Sequence, residues 1–504
     1  MSLGLDMTAF SLDLRVCRLF SVLVYCIVAG RSVLASLMKA FFGGFLALLI
    51  LLSVLAWKLI PPPEGGTRTT LVWATDDNPV RKQQVELFNK LNPDLYLVID
   101  PSNNDQSKII VQSLAGVGPD IFDSFGAGYL EAYVRSGIAW DVTDQLKKKN
   151  IDVLKLIWPL GVPSCVFQDR VYGFPCNVSG DAIWFNKDMF DQANMPYPKP
   201  GWTWNDLIET SQKLTQKDAN GRITRFGIYF DWGGWESVVR TFGGDLYSPL
   251  GTRCTLDTPE AIEGLTMIHD LMYKYNITPS PVQESTLATT GGWGSGGITF
   301  LGGRRVAMAT GGRWWLNLLR TQQKESIRHG QTPLRLGVVE VPKARRLTFG
   351  GGARCSLVNR NSTRREAALR FLQFLSGEDY NFQLNDLADA MAPVRKYCYT
   401  KRYLQNPNYP AEDFNAVWRT ATENATNGGY TPFAHGTDIA VILQQTDLVK
   451  ANLKEPADAT RAIALEINRR IAINVKAKPV LAELFKQNVA KEAILASGGA
   501  KVGP

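Results

Sequence analysis

The chain has 504 residues, 45% of them hydrophobic, enough apolar material for a large core divided among two or three domains. Its formal charge is +8, yet the first 60 residues hold five basic groups against two acidic ones, leaving 50 basic against 45 acidic in the rest. So slight a surplus over so long a stretch excludes a nucleic-acid partner as the expectation.

Residues 1–37 read as an uncertain leader or a misassigned start, although Leu19 to Ala29 is itself apolar. Residues 38–60 read as a signal sequence or membrane anchor. Ala40 to Trp57 is uncharged, lies between Lys39 and Lys58, and has about the minimum length that spans a bilayer as a helix. Basic residues crowd its N-terminal side, which predicts a cytoplasmic N-terminus and an exported bulk. Val54-Leu55-Ala56 is an acceptable cleavage site, so cleavage and retention both stay open. Residues 61–67, PPPEGGT, read as a linker, stiff and then flexible.

From Thr69 onward short apolar strands alternate with amphipathic helices, the pattern of α/β layers. Leu71 to Ala74 predicts a strand. Asn78 followed by Pro79 predicts an N-cap and first-turn proline for a helix through Leu91. Leu95 to Asp100 is the next strand, Lys108 to Ala115 a short helix, and Gly118 to Phe122 leads into a third strand. Val171 to Phe190 is the most unusual stretch. It sets Asn177, Ser179, Gly180 and Asp181 between two apolar runs. Buried polar groups without partners are costly, so this segment fits a strand crossing between lobes with its polar groups turned into a wet cleft. Thr203 and Asp206 form a capping-box pattern for a helix to Leu214. Thr258-Pro259 opens another helix, with Ile262, Leu265, His269 and Met272 on one stripe. Thr363 and Glu366 are expected to cap a helix that Gly377 closes, and Ala459 to Ala496 reads as helical.

Cys17 and Cys26 lie in the leader, and Cys165, Cys176, Cys254, Cys355 and Cys398 remain, an odd number that leaves at least one thiol free. Cys165 and Cys176 flank the hairpin-like VFQDRVYGFP, where a disulfide is one reading and two small buried residues the other.

Several blocks in order carry a resemblance. VYGFPCNVSGDAIWFNKDMF is similar to a crossover segment of the maltose-binding-like extracellular solute-binding proteins of sugar ABC importers. Gly118-Pro119-Asp120-Ile121 with Tyr133 to Gly137, Thr299 to Trp315 (TFLGGRRVAMATGGRWW), Gly350 to Ser376, and Ala392 to Lys396 resemble further blocks of the same family. The resemblance implies a two-lobed α/β periplasmic-binding-protein fold with several interlobe crossovers, preceded here by the N-terminal hydrophobic helix. It implies lobe one at about 68–178 with 346–392, and lobe two at about 179–345 with 393–504. The function implied is capture of a sugar or oligosaccharide outside the cytoplasmic membrane and delivery to ABC permease subunits, with membrane contact through the N-terminal helix if it is uncleaved.

Sugar recognition needs aromatic faces for pyranose C–H surfaces, planar polar groups for hydroxyls, and a cleft that excludes water. Trp314 falls at the family's ring-stacking position after Gly311-Gly312; the adjacent Trp315, if strand, would point into the core. Trp232 and Trp235 lie in a glycine-rich context after the strand Phe226 to Phe230, with Asp231 beside them. Phe125 and Tyr129 follow the third strand and are placed to stack. Asp76, Asp77 and Asn78 follow the first strand, where the family commonly takes hydroxyls. Asp123 ends the third strand; Asn177, Ser179 and Asp181 follow the crossover. Ser179 stands where the family often has an acid, which weakens a maltose-like ligand. Gly351, Arg354 and Arg395 come from the later blocks, Arg395 with an ion-pair role as its alternative. Trp293, in GGWGSGG, is a candidate for closing over ligand.

Catalytic readings find little support. The three histidines are far apart, and no HExxH, paired CxxC or DxDxDG spacing predicts a metal. No cofactor motif, GxxxxGK[ST] or nucleophile elbow occurs. Carboxylates at strand ends (Asp76, Asp77, Asp123, Asp181, Asp231) keep a secreted carbohydrate-active enzyme as an alternative, and a sensory sugar-binding protein reporting to a membrane receptor is the other.

Overall fold

The alternation of strands and helices is realised from Thr69 onward in the computed structural model, which describes residues 40–53, 65–101, 105–231, 234–287, 301–434 and 438–497. Residues 1–68 and 69–504 form separate units. In the first, residues 40–53 are helical and exposed. Among the described residues no helix is long and apolar enough to cross a membrane. The expected leader, cleavage site and most of the linker lie outside the described residues.

In the second unit the strands are β1 (Thr69–Ala74), β2 (Leu95–Asp100), β3 (Ile121–Ser124), β4 (Val166–Phe167), β5 (Arg170–Val171), β6 (Gly173–Asn186), β7 (Gln216–Lys217), β8 (Ile223–Tyr229), β9 (Val306–Gly312), β10 (Leu336–Val339), β11 (Phe349–Val358) and β12 (Ala425–Thr426). Ten of them join in the order β2-β1-β3-β11-β6-β9-β8-β7, with β10 on β6 and β12 on β11; β4 and β5 form a separate hairpin. β1 runs parallel to β2 and β3, and β8 parallel to β9. The parallel pairs are buried, as the apolar runs of their sequences require: Leu71, Trp73, Ile121, Phe122, Ile228 and Met308 are each 2% exposed or less.

Helix starts follow their capping chemistry. Asn78 accepts a hydrogen bond from the Arg81 backbone N–H, and Pro79 occupies the first turn of the helix Pro79–Leu91. Thr203 and Asp206 cap each other reciprocally at Trp204–Leu214. Three expectations shift. Ser362, rather than Thr363, accepts from the Arg364 N–H (2.9 Å) ahead of the helix Arg365–Ser376. On the helix Pro259–Tyr273 the buried face is Ala261, Leu265, Ile268 and Met272, while His269 is only partly buried and bonds Asn452 (2.9 Å). The C-terminal stretch is two helices, Pro456–Ala477 and Pro479–Ala496, because a proline cannot continue the first. No disulfide joins Cys165 and Cys176: both thiols are free, and the Cys176 thiol sits against the Arg354 carbonyl (3.2 Å).

Two long strands cross the molecule. β6 pairs with β11 over residues 173–180 and with β9 over residues 181–185. Gly180 lies opposite Gly351, where the partner changes. These glycines are needed for proximity. A Cβ on Gly180 would sit 2.6 Å from the Ala421 backbone of the helix Asn415–Glu423, and one on Gly351 would sit 2.5 Å from the Ser179 carbonyl. Neighbouring Gly352 has nothing within 4 Å. Gly180→Ala should therefore cost about 1–3 kcal/mol through forced backbone shift, while Gly352→Ala should leave stability nearly unchanged. Urea unfolding of the two variants checks this; equal midpoints would refute the close-approach account.

Candidate functional site

A cavity of about 890 Å³ opens where β6 and β11 cross, within the range of ligand pockets. Along β6 the partly buried residues are Asn177, Ser179 and Asp181, at a spacing of two, so all three face one side of the strand. That side is the cavity. Gly350 to Arg354 of β11 line it as well.

On one side of the crossing strands Asp76, Arg81, Phe125, Asp389 and Ala390 contribute. Asp76 is ion-paired with Arg354, and Arg81 lies 2.9 Å from Asp389. Gln84 donates to Asp389 (3.2 Å). Asp389 is presented by a strained turn: the alanines on either side, Ala388 and Ala390, hold φ of 60° and 66°, conformations that cost of order 1–3 kcal/mol each in a non-glycine residue. Phe125 is 55% exposed and offers a free ring face at this wall.

The opposite side brings Tyr229, Phe230, Asp231, Glu236, Ser237, Arg240, Glu284 and Thr310 together with Trp314 and Trp315. β9 stops at Gly312, and the two tryptophans begin the helix Trp315–Arg328, so the strand geometry expected for them does not hold and both reach the cavity. Gly311 and Gly312 make room: a Cβ on the first would lie 2.4 Å from the Trp315 indole, and one on the second 2.7 Å from the Trp314 indole and 2.8 Å from the Ser179 hydroxyl. The two rings meet edge to face at 6.0 Å.

Of the residues singled out in the sequence, Asp76, Phe125, Asn177, Ser179, Asp181, Asp231, Trp314, Gly351 and Arg354 line this cavity. Six do not. Asp77 is turned to solvent against Lys82 (3.1 Å), and Asn78 is a helix cap. Asp123 is 4% exposed beneath the wall, accepting from Trp73 Nε1 (2.9 Å), Thr75 Oγ1 (2.6 Å) and Ser356 Oγ (2.8 Å). Burial pushes its carboxyl above the usual range, with those donors pulling the other way. Tyr129 packs edge-on against Phe125 (5.6 Å), away from the cavity. Trp235 is 5% exposed in the core. Arg395 lines a separate groove of about 310 Å³ with Lys155, Lys396 and Tyr399. Trp232 and Trp293 lie outside the described residues. The sequence did not single out Arg81, Asp389, Tyr229, Glu236, Arg240 or Glu284. Only Glu236, directly after the Gly-Gly-Trp run, carried a local signal; Arg81 and Asp389 are 308 positions apart and gave none.

Most carboxylates here have a cation. Glu236 pairs with Arg240 (3.3 Å), and Glu284 with Lys450 (3.5 Å) while accepting from the Tyr229 hydroxyl (2.7 Å). Burial raises Glu236 above the usual carboxylate range. Asp181 differs. Burial, with the negative charge of Asp231 nearby, pushes its carboxyl up to about 6 from an ordinary 3.8. A folded-state value above the unfolded one means that the native protein holds a proton the unfolded chain has released, so this contribution to stability is lost as pH rises from about 4 to about 6. Asp181→Asn should remove that slope: relative to the parent its stability should climb across this interval and plateau above it, by on the order of 1–3 kcal/mol. Urea unfolding at a series of pH values would show a flat difference if Asp181 titrated normally.

Comparison with known proteins places the fold. The family of bacterial extracellular solute-binding proteins matches residues 74–298. An arabinooligosaccharide-binding protein of Halalkalibacterium halodurans is 28% identical over 106 residues, 21% of this chain and 23% of its own length. A maltotriose-binding protein of Pyrococcus abyssi is 21% identical over 253 residues, 49% of this chain and 50% of its own. The chain thus spans half or less of the length of these curated relatives. Among solved structures, an ABC substrate-binding protein of Listeria monocytogenes in complex with cycloalternan superposes with a TM-score of 0.68 at 20% identity, over 80% of this chain and 99% of that one. An ABC transporter solute-binding protein of Thermotoga lettingae, bound with α-D-tagatose, gives 0.66 at 19% identity, over 80% and 100%. The fold is the two-lobed α/β architecture of these proteins.

Proposed function

This chain is related to the bacterial extracellular solute-binding proteins, and from that premise we propose that it captures a sugar or oligosaccharide between its two lobes and delivers it to the permease subunits of an ABC importer. The observation that carries this reading is the convergence, on one cavity at the crossing strands, of aromatic rings (Phe125 on one side, Trp314 and Trp315 on the other) with hydroxyl-reading groups such as Asn177 and Asp181. Aromatic faces cover pyranose C–H surface, and fixed amides and carboxylates take the hydroxyls. We place lobe one at about 68–178 with 346–392 and lobe two at about 179–345 with 393–504, with the change of partner at Gly180 near their boundary. Closure about β6 and β11 would bury the guest. The cavity acts by binding without turnover, in keeping with relatives that are named as binding proteins. The working site is extracytoplasmic, and the apolar run from residue 40 to 57 would serve as its export signal or anchor.

A thermal-shift screen of the purified protein against mono- and oligosaccharides should reveal a ligand that raises the melting temperature. With that ligand, Trp314→Ala should lose on the order of 1–3 kcal/mol of affinity, the value of a buried ring face, while melting as the parent does. Titration calorimetry measures the loss. Unchanged affinity would remove Trp314 from the site, and a panel without any binder would overturn the saccharide reading.

A further inference from the structure

The cavity holds six carboxylates, Asp76, Asp181, Asp231, Glu236, Glu284 and Asp389, against three arginines, Arg81, Arg240 and Arg354. Four of the acids are matched to a basic side chain: Asp76 to Arg354, Asp389 to Arg81, Glu236 to Arg240 and Glu284 to Lys450. Asp181 has no basic side chain paired with it among the described residues. It faces Asp231, whose own backbone N–H is held by the Thr310 hydroxyl (2.9 Å) on the adjoining strand. Beside it lies Gly350 of β11, where an added Cβ would be 2.9 Å from an Asp181 carboxylate oxygen and would also meet the uncharged Ser237.

This is an expensive arrangement for a neutral guest. A hydroxyl donates one hydrogen bond to a carboxylate and leaves its charge in place. When the lobes close and water leaves, that charge must be buried uncompensated or take up a proton. A cation at the same spot satisfies the carboxylate and removes the repulsion from Asp231. We propose that the ligand is a saccharide bearing a protonated amino group, seated on Asp181 beside Asp231, with its ring against Trp314. This rests on the reading of the cavity as a saccharide site, and it narrows that reading to amino sugars. The raised carboxyl of Asp181 agrees with it, since burial and the charge of Asp231 make its ionised form costlier and a cation would offset that cost.

The test uses matched pairs that differ in one substituent: D-glucosamine against D-glucose, D-galactosamine against D-galactose, and the β-linked dimers of glucosamine and glucose, titrated into the full-length protein near pH 7. The amino member should bind roughly tenfold more tightly or better, as expected for a charge-assisted hydrogen bond. In Asp181→Asn the preference should vanish, whatever the variant costs in affinity for both members. Calorimetry near pH 6 in buffers of different ionisation enthalpy adds a second readout: a neutral sugar should bind with proton uptake, an amino sugar without it. Equal affinities within every pair, or a preference that survives in Asp181→Asn, would overturn the amino-sugar inference and leave the saccharide site standing. Binding of neither member would overturn both.

Discussion

The structure depends on the pairing of β6 with β11 at Gly180 and Gly351. Every element of the cavity is referred to these two strands, because β6 is hydrogen-bonded to β11 up to that point and to β9 beyond it. The absence of side chains there has two effects. It lets the helix Asn415–Glu423 lie directly on the strand, with Thr422 accepting a bond from the Gly180 N–H (3.0 Å). It also leaves the neighbouring polar residues, Asn177, Ser179 and Asp181, as the only side chains that β6 presents to the cavity. A crossover strand with larger residues at 180 and 351 would hold the sheet apart and close the space that the cavity needs.

The tryptophan side of the cavity is fixed by a different device. Arg313, between the glycine pair and Trp314, is fully buried and has no ion pair among the described residues. It donates to the Asn415 side chain (3.1 Å) and to the carbonyls of Ala390 (2.5 Å) and Asn385 (3.0 Å), and it stacks over Tyr403. Burial lowers its pKa, but a guanidinium keeps its charge across any working pH. The residue that orients Trp314 is thus bonded to the same turn that presents Asp389. Aromatic and ionic walls share one anchor, so the distance between them is set by backbone carbonyls rather than by flexible surface contacts.

Much of this was legible in the chain and some could not be. The strand and helix order from Thr69 to Leu214 follows from short apolar runs and from caps such as Asn78-Pro79 and the Thr203–Asp206 box, which are local signals. The alternation at residues 177, 179 and 181 is also local, and it marked the cavity face of β6. Trp314 was marked by the family resemblance, at the ring-stacking position that follows Gly311-Gly312. Trp315 is buried at 5% exposure, as local reading expected, but it starts a helix rather than ending a strand and so also touches the cavity. Arg81 and Asp389 were invisible: each is one charged residue in a helix-favouring context, and their meeting requires a chain reversal that Ala388 and Ala390 make in a left-handed conformation alanine rarely adopts. Asp123 was misread for a similar reason. Its place at a strand end suggested the cleft, but Trp73, Thr75 and Ser356 consume its oxygens inside the core.

The two sides of the cavity therefore differ in how they respond to what enters. On the side of Asp76, Arg81, Arg354 and Asp389, opposite charges are already in contact, and removing one partner would strand the other in a buried site. Such a cluster is stiff, and its charge does not change when a guest arrives. On the other side Asp181 has no basic side chain paired with it among the described residues, so under the proposed reading its state would be set from outside, by solvent and protons while the cleft is open and by the guest when it shuts. Closure is then not only a matter of covering apolar rings. The work of drying Asp181 would add to the free energy of the closed state, and a guest that reduces this work would shift the population toward it further than one that does not. In the proposed reading, rings on Trp314 and Phe125 would supply attraction with little discrimination between one sugar and another, and the Asp181 carboxylate would supply the discrimination.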